Sequence, residues 1–228
     1  MHHNLYQPIK DARSYEVYGY EALIRGIDQN SNIISPFRLF EQAKKMDLVF
    51  QLDKSTRETI IDVSAKKGLK KQLFINFLPT SIYQPELCLK TTNQAISRND
   101  ILKSQVTFEV VETERVKDYE HLKSILEFYR KQGYNTALDD VGSGYNTPEV
   151  IKKLQPDLIK IDRAITSQID KNLENQKILN DYIHLARSLH IKILVEGVET
   201  KEEADYLKTV EIDYVQGYYF GKPNEDFL

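Results

Sequence analysis

The chain has 228 residues, with 31 Lys and Arg against 34 Asp and Glu, a formal net charge of -3, and 41% hydrophobic residues. A chain of this length buries roughly 70% of the surface it exposes when unfolded, so it needs neither disulfides nor a structural metal to fold. The balanced charge gives no basic footprint for DNA, RNA or an anionic membrane, the lone thiol Cys88 cannot form an intrachain bridge, and no apolar run is long enough for a membrane span, which together point to a cytoplasmic protein.

In chain order, short runs of strand composition recur, and most are followed by a stretch of helical periodicity. Strands are predicted over 6–10, 15–25, 73–77, 106–111, 136–139, 158–161, 191–195 and 214–218, about eight in all. Residues 36–65 read as two helices, the first opened by Ser35 as cap and Pro36 in the first turn. Leu122, Ile125, Leu126 and Tyr129 recur at helical spacing over 118–132, and Gly133 stops that helix. A further helix is predicted over 175–189, and a last one over 201–209 starts after Thr200 with acidic residues in its first turn. The polar stretch 90–100 carries no strand and admits a helix. No linker composition divides the chain, so one domain over 1–228 is expected. Its class is α/β, a TIM-like (β/α)8 barrel with allowance for one antiparallel strand. No Gly-x-Gly-x-x-Gly follows the first strand, which weakens a dinucleotide-binding alternative.

Polar residues cluster where the strands end. Glu21 closes the apolar part of the second strand, Asn76 interrupts the third, Glu109 and Glu112 sit in and after the fourth, and Asp139-Asp140 close the fifth. Lys160 and Asp162 punctuate the sixth, Glu196 follows the seventh and Gln216 lies within the eighth. In a barrel the C-terminal strand ends converge on the face that carries the active site. A lone acid after a strand is most often a helix cap or a solvated loop residue. A whole series is harder to explain so, because several neighbouring carboxylates are costly to bury without cations. The set Glu21, Asn76, Glu109, Asp139 and Asp140 offers oxygen and neither His nor Cys, which suits Mg²⁺ or Mn²⁺ better than zinc. A pair of such ions is an established solution for phosphodiester cleavage. Lys160 would offset charge or orient water there, and Arg25 offers a planar fork for a phosphate. The glycines of Val141-Gly142-Ser143-Gly144 give a tight turn able to move and gate the site.

These blocks, in this order, resemble the EAL-domain cyclic di-GMP phosphodiesterases. The resemblance is carried by Glu21-Ala22-Leu23-Ile24-Arg25, Asn76 with Pro79, Glu109-Val110-Val111-Glu112, Asp139-Asp140-Val141-Gly142-Ser143-Gly144-Tyr145, Lys160-Ile161-Asp162, Glu196-Gly197-Val198-Glu199 and Gln216-Gly217-Tyr218. It implies a metal-dependent hydrolase that opens cyclic di-GMP to linear pGpG, with two Mg²⁺ or Mn²⁺ ions per site. Glu21, Asn76, Glu109 and Asp139 would bind metal, Asp139 as the bridge, with Asp140 on the second ion. Lys160 and Glu196 would position or deprotonate the water, and Gln216 would support them. Leu23, Arg25 and Asp162 would contact substrate, and Glu112 would hold the glycine-rich loop. The resemblance also implies a homodimer.

Five positions depart from the family pattern: Val141 for Phe, Ser143 and Val111 for Thr, and Asn146-Thr147 for a Ser pair. All lie in or against the glycine-rich loop, so a looser loop and modest or dimer-dependent activity are expected. The competing reading is a catalytically weak cyclic di-GMP receptor or protein-interaction module. A third is a barrel enzyme that acts on another phosphodiester.

Overall fold

Side chains alternate between the two faces of a strand, so a strand in a closed barrel must alternate between the barrel interior and the helical shell. The computed structural model describes residues 2–79, 82, 84–110, 118–144 and 146–227. Its strands are β1 (His2–Asp11), β2 (Val17–Ile27), β3 (Ile33–Ile34), β4 (Gln72–Phe77), β5 (Val106–Val110), β6 (Asn135–Val141), β7 (Leu158–Ile161), β8 (Lys192–Val195) and β9 (Tyr214–Gln216). They are hydrogen-bonded in the order β1-β9-β8-β7-β6-β5-β4-β2-β3, and a β1–β2 pairing closes the ring. All eight predicted strands are present. Strand β1 runs antiparallel to both β2 and β9, which is the antiparallel member allowed for, and the two-residue β3 lies outside the ring.

The helices are α1 (Pro36–Lys45), α2 (Val49–Lys66), α3 (Pro85–Arg98), α4 (Tyr119–Lys131), α5 (Pro148–Leu154), α6 (Arg163–Thr166), α7 (Leu173–Ser188) and α8 (Lys201–Leu207). Their starts follow local chemistry. Ser35 accepts from the Arg38 N–H ahead of Pro36, Asp118 accepts from the His121 N–H, and Thr200 and Glu203 form a reciprocal capping box. The polar stretch 90–100 is indeed helical for most of its length, within α3.

The major core lies between the barrel wall and this shell, built from the outward strand residues Ile75, Phe77, Phe108, Leu138, Ile159, Ile161 and Ile193 against helical side chains such as Ile61, Leu89, Leu126 and Ile183. A second, smaller core fills the barrel: Ile9, Phe74, Ala137, Leu158, Leu194 and Tyr214, with Tyr18 stacked on Tyr214 at a ring distance of 3.9 Å. Two residues beyond these interior positions, on the same face, come Asn76, Asp139, Lys160, Glu196 and Gln216. Glu109 pairs directly with Asn76 and Ala137, and Glu21 with Phe74, so both join the interior face. Apolar side chains plug the barrel, and the next layer toward the C-terminal strand ends is polar. The period-two rule alone places seven polar residues in one ring.

Candidate active site

Lys160 stands at the centre of the ring, 1% exposed. Its Nζ lies 2.8 Å from Glu196 Oε1, 3.0 Å from Glu109 Oε1, 3.1 Å from Asp139 Oδ1 and 3.7 Å from Glu21 Oε2. Burial would drive its pKa down, but Asp139, Glu109, Glu196 and Glu21 together outweigh burial and hold it well above its ordinary value. It is therefore a fixed positive charge, not a solvent-facing strand residue.

One ammonium against four carboxylates leaves negative charge in excess. Glu109, 0% exposed, is pushed well above the usual carboxylate range by burial, with Lys160 opposing the shift and Glu21 and Asp139 adding to it. Glu196 is raised likewise, first by burial and then by Asp139, against the pull of Lys160. Asp140 is pushed up to about 6 by burial, then by Asp139 and Asp162. Each of these acids holds its proton more tightly than in water because too few cations share the space.

The remaining polar groups are held in place by one another. Asn76 Nδ2 donates to Glu21 Oε1 at 3.0 Å, and Gln216 Nε2 donates to Glu21 Oε2 at 2.7 Å. Both amide oxygens, Asn76 Oδ1 and Gln216 Oε1, are buried and receive no hydrogen bond among the described residues. A buried oxygen without a donor is costly, and a cation relieves it. The Asp139, Asp140 and Glu196 carboxylates also offer oxygens that lie within 4.8 Å of one another. Orphaned amide oxygens, excess carboxylate and an all-oxygen donor set fit a hard divalent cation.

The other predicted residues lie around this ring. Leu23 and Arg25 continue the face of Glu21 along β2. Arg25 makes no ion pair among the described residues and donates from Nη1 to the Ile24 carbonyl at 2.7 Å. Asp162 accepts from the Ala164 N–H at 2.7 Å as the cap of α6, beside Asp140. Glu112, Val111 and Tyr145 lie outside the described residues. Beside the ring a cavity of about 1090 Å³ opens between α1, α2 and α3, walled by Leu23, Phe37, Phe40 and Phe50 and touching Asn76 and Asp139. It joins an apolar, aromatic wall to an acidic floor.

Three contributors, Asp53, Arg57 and Arg163, were not singled out from the sequence. Asp53 in α2 is buried against Arg57 (2.9 Å), and its Oδ1 accepts from the Leu78 N–H at 3.2 Å, two residues beyond Asn76. Arg57 in turn reaches Thr92 Oγ1 at 3.3 Å, which ties α2, α3 and the exit of β4 together. An Asp and Arg four apart on the same stripe as Ile60 and Ile61 is the signal that could have marked them. Arg163 at the start of α6 pairs with Glu199 (2.6 Å) and lies over Gly197, whose φ of +67° and proximity to the Arg163 stem exclude a larger residue beside Glu196.

Comparison with known proteins gives one consistent family. A family model described as "EAL domain" matches residues 2–223. Similar proteins of Escherichia coli (strain K12) include a probable cyclic di-GMP phosphodiesterase, PdeG, 33% identical over 224 residues, and the cyclic di-GMP phosphodiesterase PdeF, 30% identical over 220. The matches take in 96% and 95% of this chain but 44% and 29% of those proteins, so the chain spans less than half the length of these curated relatives. A standalone versatile EAL protein from Vibrio cholerae O395, solved in its c-di-GMP-bound form, superposes with a TM-score of 0.92 at 36% identity, over 99% of this chain and 94% of that one. Klebsiella pneumoniae BlrP1, in a manganese and cyclic di-GMP complex, gives 0.87 at 28% identity over 98% of this chain and 56% of that one.

Proposed function

The chain belongs to the EAL domain family, and from that premise we propose that it is a metal-dependent phosphodiesterase that hydrolyses cyclic di-GMP to linear pGpG. The observation that carries the reading is the buried ring itself: four carboxylates around Lys160, two orphaned amide oxygens, and an aromatic-walled cavity opening on Asn76 and Asp139. Cations and an anionic diester with flat bases are the ligands such a site accommodates.

In this reading Glu21, Asn76, Glu109 and Asp139 would hold one Mg²⁺ or Mn²⁺, and Asp139 and Asp140 would hold a second. When bound, such ions acidify water and stabilise the charge that builds on the phosphate oxygens. Arg25 grips a phosphate as a two-pronged donor, with Leu23 and Asp162 beside it. Lys160 fixes the Glu196 carboxylate at 2.8 Å, which leaves the carboxylate turned to receive a proton from the attacking water. As the water oxygen bonds to phosphorus, the bond from phosphorus to the 3′-oxygen breaks, and the departing oxygen takes up a proton from solvent. The products are one 5′-phosphate end and one 3′-hydroxyl end. Gln216 acts through Glu21, and Glu112 as a brace for the glycine-rich loop.

The family resemblance around that loop supports a homodimer, and the single buried Cys88 supports a reducing, cytoplasmic setting. No helix among the described residues is long and apolar enough to cross a membrane.

Incubation with cyclic di-GMP and Mn²⁺, followed by chromatography for pGpG, tests the reading. Metal-dependent pGpG is the expected product. Tight binding without product would mean a receptor, and product only from another cyclic or linear diester would mean a different substrate. Arg25→Ala is expected to raise KM about tenfold, roughly 1.4 kcal/mol, with a smaller change in kcat. An unchanged KM would remove Arg25 from the substrate site.

A further inference from the structure

Adjacent residues of a strand face opposite ways, so Asp139 and Asp140 should not both reach the barrel mouth. They do because β6 is bulged there. Leu138 pairs with Ile159 and Val141 with Ile161, so Asp139 and Asp140 together stand opposite the single residue Lys160. Asp140 has φ of +52°, in the left-handed region that side chains other than Gly, Asn and Asp avoid, and this turns its carboxylate to the same side as that of Asp139.

The peptide between the two acids is held at both ends. Its N–H, on Asp140, donates to Asp139 Oδ1 at 3.0 Å. Its C=O, on Asp139, accepts from Asn146 Nδ2 at 2.6 Å. Asn146 is 5% exposed and lies across the glycine-rich turn, at a position where the family pattern has a serine. A serine hydroxyl is shorter and could not make the same span from the same backbone. The turn it closes also has little slack, since a Cβ on Gly142, at φ of +101°, would run into Ile165.

We infer that Asn146 is a positioning residue: its buried amide locks the Asp139–Asp140 bulge and so keeps the two carboxylates on one side, where they can share ions. The inference rests on the proposed reading of Asp139 and Asp140 as ion ligands. It assigns to this chain a device that the departure from serine supplies.

The test compares Asn146→Leu, which keeps the branched shape without a donor, with Asn146→Ala, which loses both. Calorimetric titration with Mn²⁺ alone is expected to show binding weakened about tenfold or more in both variants, as for other groups that orient metal ligands. The unfolding midpoint without metal should move by no more than about 4 °C in the Leu variant. If Asn146 merely fills space, Leu will bind Mn²⁺ like the wild type and only Ala will weaken, which overturns the inference. Should the wild type itself take up no Mn²⁺, the ion-site reading fails, and a metal-free crystal structure of either variant then decides the positioning role. Asp140 is expected to have left the left-handed region with its carboxylate turned from Asp139; both carboxylates still together would refute the lock.

Discussion

Replacing Lys160 with methionine is expected to destabilise the metal-free protein by about 3–5 kcal/mol at pH 8, the usual cost of leaving a buried ionic partner uncompensated. The magnitude follows from geometry. Lys160 Nζ lies within 4 Å of Glu21, Glu109, Asp139 and Glu196, and all but the last two are almost wholly buried. Methionine fills similar volume, so the loss is electrostatic and not a cavity effect. Its pH dependence has a defined sign. The raised Lys160 pKa contributes stability that is fully present below the ordinary value of 10.5 and is lost only as pH rises through the higher folded value. The raised acids act oppositely. Folded Glu109, Glu196 and Asp140 hold more protons than the unfolded chain, so metal-free stability falls as pH rises from the ordinary carboxylate range through their folded values, about 6 for Asp140. Without Lys160 those acids must protonate or repel, and the fall becomes steeper. The variant should therefore lie closest to the wild type near pH 5 and furthest from it at pH 8. Mn²⁺ should restore much of the loss, because a cation returns to the same carboxylates. Urea unfolding at the two pH values, with chelator and with Mn²⁺, measures all of this. Equal stability of the two proteins at pH 8 in chelator would show that Lys160 does not hold the ring together.

The ring was legible in the sequence because it follows from a periodicity. Once Phe74, Ala137, Leu158, Leu194 and Tyr214 are strand residues facing inward, the residue two further on must face inward too, and in every case it is polar. What periodicity cannot show is a break in itself. The Asp139–Asp140 pair looked like a ready-made double ligand, yet only the left-handed Asp140 and the bulge make it one. A side chain that acts from another element was equally hidden: the bond from the Leu78 N–H to Asp53 appears only when α2 packs beside the end of β4. Asn146 drew notice as a departure expected to loosen the loop, as did the smaller Val141. In the fold Val141 is fully buried in the outer core and Asn146 bonds across the turn, so both changes have defined contacts.

Glu21→Ala is expected to lower kcat/KM for cyclic di-GMP by about 10³-fold or more, some 4 kcal/mol of transition-state stabilisation, and excess Mn²⁺ should not recover it. Both Glu21 oxygens are already engaged, one by Asn76 and one by Gln216, so the carboxylate is oriented before any ion arrives. Its removal does more than delete one donor atom. The Asn76 and Gln216 amides lose their acceptor inside the barrel, a cost of about 1–3 kcal/mol for each group left unsatisfied. Asn76 is then free to turn its orphaned oxygen away from the site. Against that cost, one of the four carboxylates around Lys160 is gone, and the repulsion that raises Glu109 and Glu196 falls with it. The two effects oppose each other in stability but add in catalysis. Glu21→Ala should therefore leave the metal-free protein folded, with a shallower decline in stability from pH 5 to pH 8 than the wild type, while turnover collapses. This is the reverse of the pH behaviour expected for Lys160→Met, and the contrast distinguishes the negative charge that the ring has in excess from the single positive charge that opposes it. Retained turnover would take Glu21 out of the ligand set, and a pH decline as steep as that of the lysine variant would mean that the ring does not share its charge.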